Sequence, residues 1–142
     1  MGGATAFMTA AGATGLDGLI LLDAANLAVS AGRQRSQLVA GLDDFGNSLH
    51  GATPETVADE ILSRGPGWNS IAAAARLRGL PVLNIAASEA LGPMNRPVNE
   101  ALRRSGARLT AMELRTDHAF ADHRIALAAT VTGWLQRLWV RR

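Results

Sequence analysis

Apolar residues fall along this chain in two patterns: short uninterrupted runs, and longer stretches in which they recur every three or four positions. Leu19-Ile20-Leu21-Leu22, ending at Asp23, is a run too short for a helix and reads as a strand buried on both faces, as in a parallel sheet. Pro81-Val82-Leu83-Asn84-Ile85-Ala86-Ala87 predicts a second strand. Ala107 to Leu114 predicts a third, with Leu109, Ala111 and Glu113 alternating against Arg108, Thr110 and Met112.

Helical patterns separate these strands. Met1 to Ala11 is rich in alanine and glycine and predicts the turns of a closely packed helix, which Gly15 ends. Ala31 to Leu42 predicts a helix with Leu38, Val39 and Leu42 on one side. Thr53 as N-cap, Pro54 in the first turn, Glu55 at the positive end and Gly65 past the last turn bracket another, with Val57, Ile61 and Leu62 buried. Gly65-Pro66-Gly67 is a turn, Trp68 an anchor, and Ile71 to Arg78 a short helix stopped by Gly79. Pro97 and Gly106 bracket a helix with Val98, Ala101 and Leu102 inward. The last helix is expected from His123 to Leu138, with a stripe of Ile125, Ala128, Val131, Leu135 and Leu138 flanked by Trp134 and Trp139. Helix, strand, helices, strand, helix, strand, helix is the order of an α/β fold, a short parallel sheet of about three strands with right-handed crossovers.

Composition narrows the function classes. The 142 residues, 48% hydrophobic and 18% charged, suit one globular domain. A pI of about 10.9 invites a nucleic-acid reading. The chain has no lysine, tyrosine or cysteine, however, and its net charge is only +2. The high pI is therefore arithmetic, with arginines scattered along the sequence and adjacent only at Arg103-Arg104 and Arg141-Arg142. The absence of cysteine excludes disulfides, thiolate catalysis and cysteine-ligated zinc. No apolar run is long enough for a transmembrane helix and no signal-peptide pattern opens the chain. The expectation is a cytoplasmic protein with neither nucleic acid nor membrane as partner.

The densest chemistry lies in Leu114-Arg115-Thr116-Asp117-His118-Ala119-Phe120-Ala121-Asp122-His123-Arg124, between the third strand and the last helix. A histidine in a strand-to-helix loop is a candidate general base. The plain alternative is a surface loop in which Asp122 caps the final helix and both histidines are solvated. Asp23, Glu89 and His118 all follow strand ends, where functional groups collect in parallel sheets. The spacing of Asp117-His118 and Asp122-His123 fits no metal motif such as H-E-x-x-H, and no phosphate loop is present. His50, alone in a loop, reads as a surface residue.

These segments together resemble the C-terminal half of the α/β-hydrolase fold family, in its serine esterase and peptidase-like branch. Leu19 to Asp23 resembles the strand after the nucleophile helix, Pro81 to Pro93 the strand and turn that present the triad acid, and Thr116 to Arg124 the loop of the catalytic histidine. Met1-Gly2-Gly3 resembles the end of the G-x-S-x-G elbow, Met1 falling just after the serine and Gly2 on the closing glycine.

The resemblance implies His118 as base and Glu89 as acid, where the family usually has aspartate. Asp23 is the reserve acid, and no cofactor or metal is implied. It implies an ester or amide substrate in the intact protein and a lid-like helical region between the strands, residues 24–80. It also implies an open reading frame that is truncated or has a misassigned start. The serine and one oxyanion donor would then lie outside residues 1–142, leaving a partial domain that is inactive alone and associates through its open sheet edge. The alternative function is a non-catalytic interaction or scaffold domain completed by a partner chain.

Overall fold

The computed structural model describes residues 2–42 and 50–140. Seven α-helices are present among them: α1 (Gly2–Gly12), α2 (Leu27–Ser30), α3 (Arg35–Leu42), α4 (Pro54–Arg64), α5 (Ser70–Ala73), α6 (Gly92–Ser105) and α7 (Arg124–Val140). Three strands, β1 (Leu19–Leu22), β2 (Pro81–Ala87) and β3 (Arg108–Leu114), form a parallel sheet in the order β1-β2-β3. The α/β expectation is met. The chain divides into two compact units, one of residues Met1–Ala25 with Ser70–Arg142 and one of Asn26–Asn69. The region expected as 24–80 is therefore a smaller body, and residues 70–80 belong with the sheet.

In the sheet unit β2 is buried at every position, and its side chains alternate between two cores. Val82 joins Phe7, Leu19, Leu21, Leu77 and Leu102 on the side of α1 and α6. Leu83, Ile85 and Ala87 join Phe120 and Trp134 on the side of α7. A central strand covered on both faces needs apolar residues at successive positions, which is why it reads as an unbroken run. The register pairs Leu22 with Ile85 and Ile85 with Met112, so all three strands run together toward one rim. β3 is less covered than β2: Leu109 reaches the α1 and α6 core and Leu114 the α7 core, while Thr110 and Met112 are exposed.

The two long helices after β2 differ in part from expectation. Helix α6 starts five residues before Pro97, at Gly92, and carries Pro97 inside it. Pro93 takes the first-turn place that the reading gave to Pro97. The left-handed cap at Gly106 is as expected, with φ of 81°.

Helix α7 packs Val131, Leu135 and Leu138 as expected, but Leu127 and a buried Trp134 complete the face, while Ala128 is exposed and Ile125 is 89% exposed. Gly18 accounts for the place of the indole. A side chain there would come within 2.7 Å of the Trp134 ring, so the glycine before β1 makes the space in which the indole sits.

The second unit holds α2, α3 and α4. Its core is Leu38, Val57, Ala58 and Ile61. Thr53 caps α4 as read from sequence, its hydroxyl accepting from Thr56 N–H while Thr56 Oγ1 accepts from Thr53 N–H. Arg35 on α3 makes a two-pronged ion pair with Asp59 on α4 at 2.6 and 3.0 Å. The short α2 was not expected, and α3 begins at Arg35 rather than Ala31.

Candidate functional site

Asp23 follows β1 at the carboxyl-end rim of the sheet. Its amide continues the ladder by donating to Ile85 O at 2.7 Å, and its backbone then turns into the left-handed region, with φ of 44°. That turn drives the carboxylate sideways, across the end of β2. Oδ1 accepts from Ala87 N–H at 3.0 Å and Oδ2 from Leu91 N–H at 3.4 Å. The side chain is fully buried, and a buried carboxylate is tolerated when donors surround it.

The third donor position is taken by His118. Its Nδ1 lies 2.7 Å from Asp23 Oδ2. With the carboxylate accepting, Nδ1 carries the proton and Nε2 is left with its lone pair. The imidazole is 55% exposed, and among the described residues nothing hydrogen-bonds to Nε2. The arrangement is a basic nitrogen facing outward, backed by a buried acid.

The loop that carries His118 is folded by its own contacts. Phe120, at φ of 52°, is 3% exposed and packs into the core under α7. Its N–H donates to Asp117 O, and Asp117 Oδ1 accepts from Ala121 N–H at 3.2 Å. Thr116 is buried and its hydroxyl donates a short hydrogen bond to Asp122. That bond, with the neighbouring His123, holds the Asp122 carboxyl down at about 2. His123 Nδ1 lies 2.9 Å from Asp122 Oδ1 without the alignment of a hydrogen bond. Among the described non-glycine residues only Asp23 and Phe120 have positive φ; the first is the acid of the Asp23–His118 contact and the second lies two residues after its histidine. Such strain persists where the surrounding structure over-determines it, and it clusters at functional sites.

Of the two acids weighed from sequence, the structure brings Asp23 to His118 and leaves Glu89 elsewhere. Glu89 is exposed and pairs with Arg115 Nε at 3.2 Å. Its backbone, not its carboxylate, is tied to the histidine loop, through Glu89 N–H to Thr116 O. Of the other two histidines, His123 is turned toward Asp122, and His50 is exposed in the other unit. Met1, assigned the position after the serine, lies outside the described residues. Among the described residues no group of three or more His, Asp or Glu side chains gathers as a metal site.

Sequence reasoning missed a buried amide cluster beneath the rim. Asn84, fully buried in the middle of β2, donates from Nδ2 to Asn95 Oδ1 at 3.1 Å and to Asn99 Oδ1 at 2.8 Å. Asn95 in turn donates to Leu91 O and to Ala24 O, the carbonyl next to Asp23. The cluster thus pins the chain just after the acid to the first turn of α6. Its signal was available: an asparagine inside an apolar strand, and two more one helical turn apart at 95 and 99.

Comparison with protein-family models, with curated proteins and with solved structures finds no match for this chain.

Proposed function

We propose that the chain carries the base and the acid of a hydrolytic site of the serine esterase or peptidase kind, acting on an ester or amide bond. One observation carries this reading: the 2.7 Å contact between a buried Asp23 carboxylate and Nδ1 of an exposed imidazole. In the reaction, His118 Nε2 takes the proton of an attacking hydroxyl and then delivers it to the leaving group. Asp23 fixes the tautomer and stabilises the imidazolium that forms between the two steps.

The reading assigns the nucleophile to the position just before Met1, ahead of the N-terminal end of α1. Gly3 there packs so closely on Ala24 that a side chain at position 3 would lie 2.6 Å from the Ala24 methyl. The end of α1 is therefore beside the residue that follows Asp23, at the same rim as His118. The test is to express the coding sequence with whatever is encoded in frame ahead of Met1 and to react the product with a fluorophosphonate. Labelling of a serine that His118→Ala and Asp23→Asn both abolish is expected. Absence of labelling, or labelling indifferent to both variants, overturns the proposal. Residues 1–142 alone are expected to show no turnover of p-nitrophenyl acetate.

One observation favours the alternative of an interaction module. Among the described residues β1 forms one edge of the sheet, and Leu22 on it is 42% exposed. An open edge beside an apolar side chain is a surface that a further strand can complete. In that case a partner would bind whether or not position 118 is histidine.

A further inference from the structure

The opposite end of the sheet holds a second feature, independent of the Asp23–His118 pair. A cleft of about 790 Å³ opens at the amino ends of the strands, where Pro81 begins β2 and Arg108 begins β3. All of its lining belongs to the sheet unit. Given the rise of a strand, seven residues of β2 separate it from the His118 rim by about 20 Å.

Four arginines from four segments converge on this cleft: Arg76 from the turn after α5, Arg78 from the following loop, Arg108 from β3 and Arg137 from α7. Asp17 is the one acidic residue among the described lining residues. The arginines read as scattered along the sequence are therefore gathered in space, and a chain of net charge +2 concentrates positive charge here. Arg35, Arg64, Arg96, Arg104 and Arg115, none of them in the cleft lining, are each paired with a carboxylate. Four guanidinium groups beside a single acidic residue leave an excess of positive charge in the cleft.

The scaffold under them is firm. Arg108 Nε donates to Gly79 O at 3.0 Å, Gly79 N–H to Gly106 O, and Arg108 N–H to Leu80 O, so the Arg78–Gly79 turn is stapled to the start of β3. The apolar part of the lining includes buried Leu77 and Trp134 and exposed Leu16.

We propose that this cleft binds a small organic anion, its phosphate or carboxylate head held by the arginines and its apolar body laid against Leu16 and the Trp134 edge. The guanidinium fork suits both head groups, and the volume is that of a small-molecule site rather than of a surface tracking a polymer. Isothermal titration of the full chain with phenyl phosphate, benzoate and inorganic phosphate tests this. Saturable one-to-one binding of phenyl phosphate or benzoate is expected, at least tenfold tighter than inorganic phosphate, and the tighter of the two identifies the head group. The Arg76→Gln, Arg137→Gln pair of changes should weaken it at least tenfold. Arg33→Gln with Arg124→Gln, which removes equal charge from exposed residues that do not line the cleft, should change it less than twofold. Both double variants alter exposed side chains, and circular dichroism verifies that they fold. Three results would each overturn the proposal: equal weakening by the two pairs, no saturable binding of either aromatic probe, or tighter binding of a single-stranded oligonucleotide that ignores the cleft variants.

Discussion

Asp23 shows what one residue at a strand end can control. Its carboxylate meets Ala87 N–H, Leu91 N–H and His118 within one buried pocket of donors, so exchange for an amide keeps the size and loses the match. Under the proposed hydrolytic function Asp23→Asn should lower turnover by about 10⁴-fold, the order seen when a triad acid ceases to hold the imidazole tautomer. Nitrogen-15 spectra of the His118 ring should show the Nδ1-protonated form giving way to a mixture.

Thr116 and Asp122 make a separate prediction. The folded Asp122 carboxyl titrates at about 2, held there first by the Thr116 hydroxyl and then by His123. An unfolded aspartate titrates near ~3.9. The bond therefore adds stability above about pH 4, and that contribution fades as pH falls through the folded value. Thr116→Val should raise the Asp122 midpoint, followed by carbon-13 titration, and destabilise the protein at neutral pH. The difference from wild type should close toward pH 2; a difference that stayed constant with pH would show that Thr116 acts through packing alone.

At the scale of elements, α1 is fitted to β1 by the absence of side chains. Gly3→Ala would force its methyl to within 2.6 Å of the Ala24 methyl and 2.9 Å of its Cα, so the backbone must move, at a cost of about 1–3 kcal/mol in urea unfolding. Gly2→Ala, with nothing within 4 Å, serves as the control and should cost nothing. Phe7, 1% exposed on the same helix, should cost about 3–5 kcal/mol on replacement by alanine.

Element existence was legible because burial on two faces leaves an unbroken apolar run, as in β1 and β2, and because Thr53 and Gly106 are caps with a mechanism. The face of α7 was legible only in part: Val131, Leu135 and Leu138 were placed on the buried side, but the apolar residues lie on more than one side, and the space for Trp134 is left by Gly18, more than a hundred positions away. The start of α6 was misplaced because two prolines, 93 and 97, each satisfy the rule for a first turn.

For the molecule as a whole, sequence put Asp23, Glu89 and His118 after strand ends and preferred Glu89 as the acid, whereas the structure brings Asp23 to His118. Asp23 and Glu89 both follow strands, and only the sideways turn of the backbone at Asp23 decides which carboxylate arrives. The gathering of four arginines was equally invisible, since each comes from a different segment. The open edge at β1 makes a prediction at this scale. Concentration-dependent association by sedimentation is expected, and Leu22→Lys should suppress it, because a charge on an exposed strand edge discourages edge pairing.

The two partners at the rim stand 95 positions apart in the chain, at the ends of β1 and β3, with β2 between them. Closing so long a loop is entropically costly until the intervening strands have docked. The imidazole is consequently a gauge of completeness: a chain that is nicked, swapped or arrested with any strand out of place presents His118 as a free solution histidine. A single ring-nitrogen resonance would then score a preparation for assembly before any substrate is known.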